Sequence, residues 1–103
     1  MYKDINGTEF RSLVEEAGDN AVLIDVRTPE ECAEGIIPGA RNINLMGHDF
    51  MEQISQMDKS KTYFMICRSG GRSGSACGAM SQTGFSNVYN LNGGMMSWDG
   101  EVQ

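Results

Sequence analysis

Cys67 is the residue whose neighbours in the sequence most clearly predict chemistry. It follows the apolar segment 62–66 and precedes a short loop, 68–72, with two glycines and two arginines, after which a helical pattern begins at about Ser73. Glycines let a backbone turn tightly with its N–H groups directed inward, and a helix N-terminus adds partial positive charge. Such surroundings lower the pKa of a cysteine below its ordinary value of about 8.5, so Cys67 is predicted to be a thiolate nucleophile. The alternative is an inert cysteine buried at the end of a strand.

The loop after Cys67 supplies the predicted substrate-binding residues. Arg72 is predicted either to contact an anionic substrate or to hold the loop by pairing with a carboxylate. Arg68 is predicted either to steer anions towards the site or to be simply solvated. Ser69 and Ser73 are candidates for hydrogen bonds to a sulfur atom, the alternative for Ser73 being a helix cap. The full predicted set is Arg68, Ser69, Gly70, Gly71, Arg72 and Ser73.

Asp25 and Arg27 are predicted to support the site. They follow the apolar segment 21–24, and α/β proteins bind their ligands beyond the carboxyl ends of parallel strands. Two roles fit this position, namely a direct part in the site or a structural ion pair that anchors neighbouring loops.

The other cysteines and the single histidine restrict the remaining kinds of site. None of the three cysteines is in a CxxC pair and His48 is the only histidine, so no metal and no cofactor are predicted. Cys77 lies on the apolar face of a predicted helix and is predicted to fill the core. Cys32 is predicted either to fill the core or to act as a resolving thiol.

Short strands alternate with helices along the chain. Apolar or alternating segments predict strands, and apolar residues at helical spacing predict helices. This alternation indicates βαβ units and a parallel sheet. Thr28 and Glu31 form a predicted capping box at one helix start, with Pro29 between them. The predicted strands are 2–5, 21–24, 41–45, 62–66 and 88–91, and the predicted helices are 8–16, 29–34, 49–57, 73–80 and 95–98.

Length and charge restrict the partners. The 103 residues fit one domain, 1–103, with 40% hydrophobic residues and a formal net charge of −6. An acidic protein is poorly suited to bind nucleic acid or an anionic membrane. The sequence begins without a signal-peptide pattern, has no apolar run long enough to span a bilayer and has an odd number of cysteines, so a cytoplasmic location is expected.

Several motifs, in order and spacing, resemble those of the rhodanese family. The resemblance runs from about Ile5 to Trp98, nearly the whole chain. Two positions depart from the family pattern, with Ile36 in place of a frequent histidine and Cys32 in place of a frequent large aromatic residue. The similar segments are 67–73 for the active-site loop, 25–31 and 35–43 for two earlier signatures, and 84–98 for the C-terminal pattern.

This resemblance implies a fold and an activity. The fold is α/β, with a five-stranded, mostly parallel sheet and helices on both faces. The activity is sulfur transfer, in which Cys67 takes the outer sulfur from a small anionic donor such as thiosulfate and becomes a persulfide. A thiol, cyanide or a partner protein then takes that sulfur. The loop amides from Arg68 to Ser73 are implied to hold the persulfide.

Three other functions compete with this one. A cysteine phosphatase or arsenate reductase has five residues between its cysteine and arginine, whereas four separate Cys67 from Arg72, and the tighter loop suits a single sulfur atom. A non-catalytic, partner-binding rhodanese-like module often lacks the cysteine, which is present here. A thiol–disulfide redox protein would pair Cys67 with Cys32.

Overall fold

The computed structural model describes residues 2–103, which form a five-stranded sheet with flanking helices. The strands are β1 (Lys3–Ile5), β2 (Ala21–Asp25), β3 (Arg41–Asn42), β4 (Thr62–Ile66) and β5 (Asn87–Leu91). The helices are α1 (Gly7–Ala17), α2 (Pro29–Ala33), α3 (Phe50–Ser55), α4 (Gly71–Ser81) and α5 (Gly94–Ser97), with a 3₁₀ turn at Gly18–Asn20. The strand order is β1-β5-β4-β2-β3, and each described pair is parallel. The predicted α/β fold is therefore confirmed.

The central strand, β4, shows how the sheet is covered. Successive side chains of a strand lie on opposite faces, so Tyr63 and Met65 pack on one side while Phe64 and Ile66 pack on the other. The first side contacts α3 and α4, and the second contacts α1 and α5. All four side chains are at most 1% exposed, as expected for a parallel strand buried on both faces. Helices therefore cover both faces, as predicted.

Capping boxes begin α1 and α2. At α1, Asn6 and Glu9 each accept a hydrogen bond from the other's backbone N–H, at 2.9 and 3.0 Å. At α2, Thr28 and Glu31 form the same reciprocal pair, which confirms the predicted box. This second box also orients the Glu31 carboxylate, which contacts the loop after Cys67.

The third strand is shorter than predicted, because β3 ends at Asn42 instead of continuing to Leu45. The Asn42 side chain donates to the backbone carbonyls of Asp25 and Arg27, at 2.9 and 2.8 Å. The N–H groups of Ile43 and Leu45 still donate to the carbonyls of Asp25 and Val26, both at 3.0 Å. The chain then turns, with the N–H of residue 47 donating to the carbonyl of residue 44. Residues 43–45 therefore stay hydrogen-bonded to the end of β2, but outside the regular ladder.

The helix after the loop begins earlier than predicted, at Gly71 instead of Ser73. Gly70 is its N-cap and has a φ of 101°, a left-handed conformation that favours glycine. The earlier start places Ser73 inside the first turn, so the free N–H groups of the helix begin within the loop itself.

The helices are short. The longest, α1 and α4, have 11 residues each. Within residues 2–103, no helix combines the length and the apolar character that crossing a membrane requires.

Candidate active site

Cys67 lies immediately after β4, at the carboxyl end of the central strand, and is completely buried. Its Sγ accepts a hydrogen bond from the backbone N–H of Gly70 at 3.0 Å and lies 3.3 Å from Oγ of Ser73. Ser73 is completely buried too, whereas Arg68 and Ser69 are exposed. The structure therefore gathers the predicted loop around one sulfur atom, with polar hydrogens on the inside and the outer side chains facing solvent.

The start of α5 fixes the first part of the loop. The N–H groups of Met95 and Met96 donate to the carbonyls of Cys67 and Arg68, both at 2.9 Å. Gly94 has a φ of 56°, and a Cβ there would lie 2.6 Å from the carbonyl carbon of Arg68. Only glycine lets the two backbones approach this closely, so Gly94 shapes the loop after Cys67.

The environment of Cys67 favours its thiolate. Burial raises the pKa of the thiol, but hydrogen bonds from the hydroxyl and amide of Ser73 and from the amides of Gly70 and Ser69 outweigh it. The pKa of Cys67 therefore lies below its ordinary value. The N-terminus of α4 acts in the same direction, because its free N–H groups carry partial positive charge.

The other two thiols lack such donors. Cys77 is completely buried on α4, as predicted, and burial raises its pKa to about 12. Cys32 is partly buried on α2, and burial raises its pKa to about 11. All three cysteines are free thiols. Among them, Cys67 is the one whose surroundings stabilise negative charge.

Arg72 forms a bidentate ion pair with Glu31, with both Nη–Oε distances at 2.8 Å. Hydrogen bonds from Arg72 and from the backbone of Thr28 lower the pKa of Glu31 to about 2. The pair joins α4 to α2. Of the two predicted roles for Arg72, the structure shows the pairing with a carboxylate, while contact with an anionic substrate stays a prediction.

Asp25 and Arg27 form a buried ion pair at the end of β2. Nε of Arg27 donates to both carboxylate oxygens of Asp25 at 2.9 and 3.0 Å, and Nη2 donates to Oδ2 at 2.8 Å. Nη2 of Arg27 also donates to the carbonyl of Gly35 at 2.7 Å. Asp25 is 0% exposed and Arg27 is 7% exposed. The pair anchors the loop after α2, which is the structural role among the two that the sequence allowed.

A cleft of about 380 Å³ lies beside the loop, with both signs of charge on its walls. In the described part of the chain, no three His, Cys, Asp or Glu side chains lie together in a way that would hold a metal ion. The residues that line the cleft are Arg27, Glu31, Glu34, Arg68, Met95 and Met96.

Two residues near the sulfur were missed by the sequence predictions. Asn90 on β5 is 3% exposed and contacts Oγ of Ser73 through its Oδ1. Its Nδ2 donates to Asp4 on β1 at 2.8 Å. A polar side chain within the apolar run of β5 was the available signal for Asn90, whereas Asp4 lies too far away in sequence to be linked to the site.

Comparison with known proteins identifies the family. The family model of the Rhodanese-like domain matches residues 8–101, nearly the whole chain. The chain belongs to the rhodanese-like family. This membership confirms the resemblance that the motifs around Cys67 predicted.

Relatives within the rhodanese-like family include named sulfurtransferases. The Bacillus subtilis protein "Putative sulfurtransferase YtwF" is 45% identical over 101 residues, covering 98% of this chain and 94% of the relative. "Thiosulfate sulfurtransferase GlpE" of Pseudomonas paraeruginosa is 35% identical over 80 residues, covering 78% and 71% respectively. The crystal structure of a rhodanese-related protein from Thermoplasma volcanium superposes with a TM-score of 0.85 at 28% identity, covering 99% of this chain and 98% of that one.

Proposed function

We propose that this chain is a sulfurtransferase that moves sulfane sulfur from a small anionic donor, such as thiosulfate, to a thiol, a protein or cyanide through a persulfide on Cys67. The observation that carries the proposal is the buried Cys67 sulfur among the donors of Gly70 and Ser73, which lower its pKa. The names of the Bacillus and Pseudomonas relatives support the same reaction class.

The first step forms the persulfide. The Cys67 thiolate attacks the outer sulfur of thiosulfate, a bond forms between Sγ and that sulfur, and the sulfur–sulfur bond to sulfite breaks. Sulfite leaves with the bonding electron pair, so the total charge of −3 is the same before and after the step. No external oxidant or reductant is needed, because the transferred sulfur is already at the sulfane level.

The second step regenerates the enzyme. A thiolate or cyanide ion attacks the outer sulfur of the persulfide and leaves with it, and the bonding pair returns to Sγ of Cys67. In both steps negative charge develops on sulfur inside the loop. The amides of Ser69, Gly70 and Ser73 donate to Sγ of Cys67, and we expect them to stabilise this charge in the transition state.

The polar residues around the loop have separate proposed roles. The exposed Arg68 attracts the anionic donor at the mouth of the cleft. Gly71 continues the turn into α4, and Arg72 holds α4 against Glu31. The Asp25–Arg27 pair holds the loop after α2 through the hydrogen bond from Arg27 to the carbonyl of Gly35.

The competing functions fit this geometry less well. A phosphatase needs the loop arginine to bind a tetrahedral anion, but both terminal nitrogens of Arg72 are bonded to Glu31. A thiol–disulfide protein needs a reactive second thiol, but the pKa of Cys32 is about 11. A module that only binds a partner does not need a cysteine whose surrounding donors lower its pKa.

The setting of the protein is part of the proposal. Residues 1–103 are proposed to act as one domain, because both core clusters share the same sheet. The three free thiols support a reducing, cytoplasmic compartment. The net charge of −6 supports work on small anions, thiols or proteins and not on nucleic acid or membranes.

Thiocyanate formation from thiosulfate and cyanide tests the proposed function. The native chain and the variants Cys32→Ser and Cys77→Ala are expected to turn over at similar rates, because neither of these thiols has donors that stabilise charge. Cys67→Ser is expected to show no turnover above background while keeping the native circular dichroism spectrum. Turnover by Cys67→Ser, or its loss in Cys32→Ser alone, would contradict the assignment of the nucleophile.

A further inference from the structure

A chain of hydrogen-bonding groups leads from Cys67 to the edge of the sheet. Sγ of Cys67 lies 3.3 Å from Oγ of Ser73. The same Oγ contacts Oδ1 of Asn90 on β5. Nδ2 of Asn90 contacts Oδ1 of Asp4 on β1 at 2.8 Å, and Asp4 is exposed. Four residues, namely Cys67 after β4, one on a helix and two on strands, thus connect the nucleophile to solvent.

The partners of Asn90 fix the orientation of its amide. Nδ2 lies 2.8 Å from the Asp4 carboxylate and 3.1 Å from the carbonyl oxygen of Gly70, and both of these groups only accept hydrogen bonds. The NH₂ group must therefore face them, and the carbonyl oxygen Oδ1 must face Ser73. Because Oδ1 cannot donate, the hydrogen between Ser73 and Asn90 belongs to the serine hydroxyl.

Ser73 has one hydroxyl hydrogen and two groups that compete for it. When Cys67 is a neutral thiol, its S–H donates to Oγ of Ser73 and the serine donates to Asn90, so every group has a partner. When Cys67 is a thiolate, the sulfur needs that hydrogen as well. If the hydroxyl donates to the sulfur, the buried Oδ1 of Asn90 has no hydrogen-bond donor. If it donates to Asn90, the thiolate has only backbone donors.

We propose that Asn90, oriented by Asp4, is a positioning residue that competes with Cys67 for the Ser73 hydroxyl hydrogen and so limits the ionisation of the nucleophile. It touches neither the sulfur nor a substrate and acts through Ser73. The inference rests on the proposed function in taking Cys67 as the nucleophile. A consequence is that part of Cys67 stays protonated while the Ser73 hydroxyl donates to Asn90. When the hydroxyl donates to the sulfur instead, the thiolate has its full set of donors.

The neighbouring charges are accounted for in this scheme. Arg72 on α4 is paired with Glu31 on α2, whose pKa is about 2, and Asp25 is paired with Arg27 at the end of β2. Cys77, also on α4, has a pKa of about 12. Glu31 and Cys77 therefore titrate far from neutral pH, at about 2 and about 12. Asp4 is the charged group on β1 that contacts Asn90.

The test is a thiolate absorbance titration, with the Cys67→Ser spectrum subtracted. Asn90→Leu keeps the side-chain volume and frees the Ser73 hydrogen, so the midpoint moves to lower pH and the thiolate fraction below the midpoint rises about tenfold. Ser73→Ala removes the donor, so the midpoint moves to higher pH. In Ser73→Ala, adding Asn90→Leu changes nothing further. Asn87→Leu, at an exposed position of the same strand, is the matched control and leaves the midpoint unchanged.

A second variant covers the case in which Asn90→Leu does not fold. Asp4→Ala is a surface change that removes the group orienting the Asn90 amide, and it is expected to lower the midpoint by a smaller amount. This shift too is expected to vanish in the Ser73→Ala background, which separates it from a direct effect of the Asp4 charge.

Two results would overturn the proposal, namely an unchanged or higher midpoint in Asn90→Leu, or a lower midpoint that persists without the Ser73 hydroxyl. The titration uses neither donor nor acceptor. A failure of sulfur transfer is therefore seen separately from a failure of this inference.

Discussion

At the scale of the residue, the state of Cys67 follows from two opposing effects. Complete burial penalises a charged sulfur, whereas the amides of Ser69, Gly70 and Ser73 and the Ser73 hydroxyl stabilise it. The donors prevail because hydrogen bonds to a charged atom are stronger than those between neutral groups. At Cys77 burial is the main cause and the charges of Asp4 and Cys67 act in the same direction, so its pKa is raised to about 12. Burial by itself therefore does not distinguish a reactive cysteine from a core cysteine, and the donors around the sulfur do.

Arg68→Ala tests the proposed capture of an anion at the mouth of the site. Arg68 is exposed and its side chain takes part in no ion pair in the described residues. Its removal is expected to raise KM for thiosulfate about fivefold, the effect of losing roughly 1 kcal/mol of attraction near a surface, with little change in stability. Steady-state thiocyanate formation measures it. Arg41→Ala, at another exposed arginine, is the control, and an equal effect of both variants would contradict a local role for Arg68.

At the scale of the element, the site is a strand–loop–helix unit that α5 holds in place. β4 brings Cys67 to the carboxyl end of the central strand, and Gly70 starts α4 in a left-handed conformation. Backbone N–H groups of α5 donate to the carbonyls of Cys67 and Arg68. The donors around the sulfur are backbone N–H groups and one hydroxyl, all from residues 69–73. Their geometry therefore depends on how closely two backbones approach at Gly94.

Gly94→Ala tests the contact between α5 and the loop. The added Cβ meets the Arg68 backbone at 2.6 Å, and alanine rarely adopts a φ of 56°. Unfolding in urea is expected to show a loss of about 2–4 kcal/mol, with persulfide formation lost as well. Gly78→Ala is the matched control, because its Cβ meets nothing within 4 Å on α4, and it is expected to stabilise the protein by about 0.5–1 kcal/mol. Native activity and stability in Gly94→Ala would contradict the proposed packing.

Glu31→Gln tests the ion pair between α2 and α4. Glutamine keeps the capping box with Thr28 and removes only the charge that Arg72 pairs with. Both side chains are about 30% exposed, so the loss at neutral pH is expected to be at most about 1 kcal/mol.

The pH dependence of that loss has a definite sign. Glu31 has a lowered pKa in the folded state, so its contribution is present above the ordinary value of 4.5 and is lost as the pH falls to about 2. The difference in unfolding free energy between the native chain and Glu31→Gln is therefore expected to shrink across that interval. A difference that stays constant from pH 7 to about pH 2 would show that the pair contributes nothing.

At the scale of the whole molecule, an acidic protein is proposed to act on an anionic donor. The net charge is −6, while the arginines at the site are largely paired with carboxylates. Long-range repulsion is therefore expected to oppose the approach of thiosulfate, and Arg68 is the proposed local attraction.

Salt is expected to relieve this repulsion. kcat/KM for thiosulfate should rise about twofold when the ionic strength increases from about 0.01 M to about 0.15 M, because the Debye length falls from about 30 Å to about 8 Å. An uncharged sulfane donor provides the control, since its kcat/KM should not change. A fall in kcat/KM for thiosulfate would show that the cleft itself has a net positive field.

The sequence predicted the parts of this molecule that depend on neighbouring residues. The strand before Cys67, the glycine loop and the Thr28–Glu31 capping box are all local signals, and all three are present. The Arg72–Glu31 and Asn90–Asp4 contacts join residues 41 and 86 positions apart, so only the folded sheet brings them together. The end of β3 was missed because residues 43–45 alternate like a strand and stay hydrogen-bonded to the end of β2 without continuing the regular ladder.

Intact-protein mass spectrometry after incubation with thiosulfate tests the central claim most directly. The native chain is expected to gain the mass of one sulfur atom, to lose it on addition of cyanide, and to show no gain in Cys67→Ser. A native chain that stays unmodified under these conditions, or a Cys67→Ser variant that gains the same mass, would contradict persulfide transfer through Cys67.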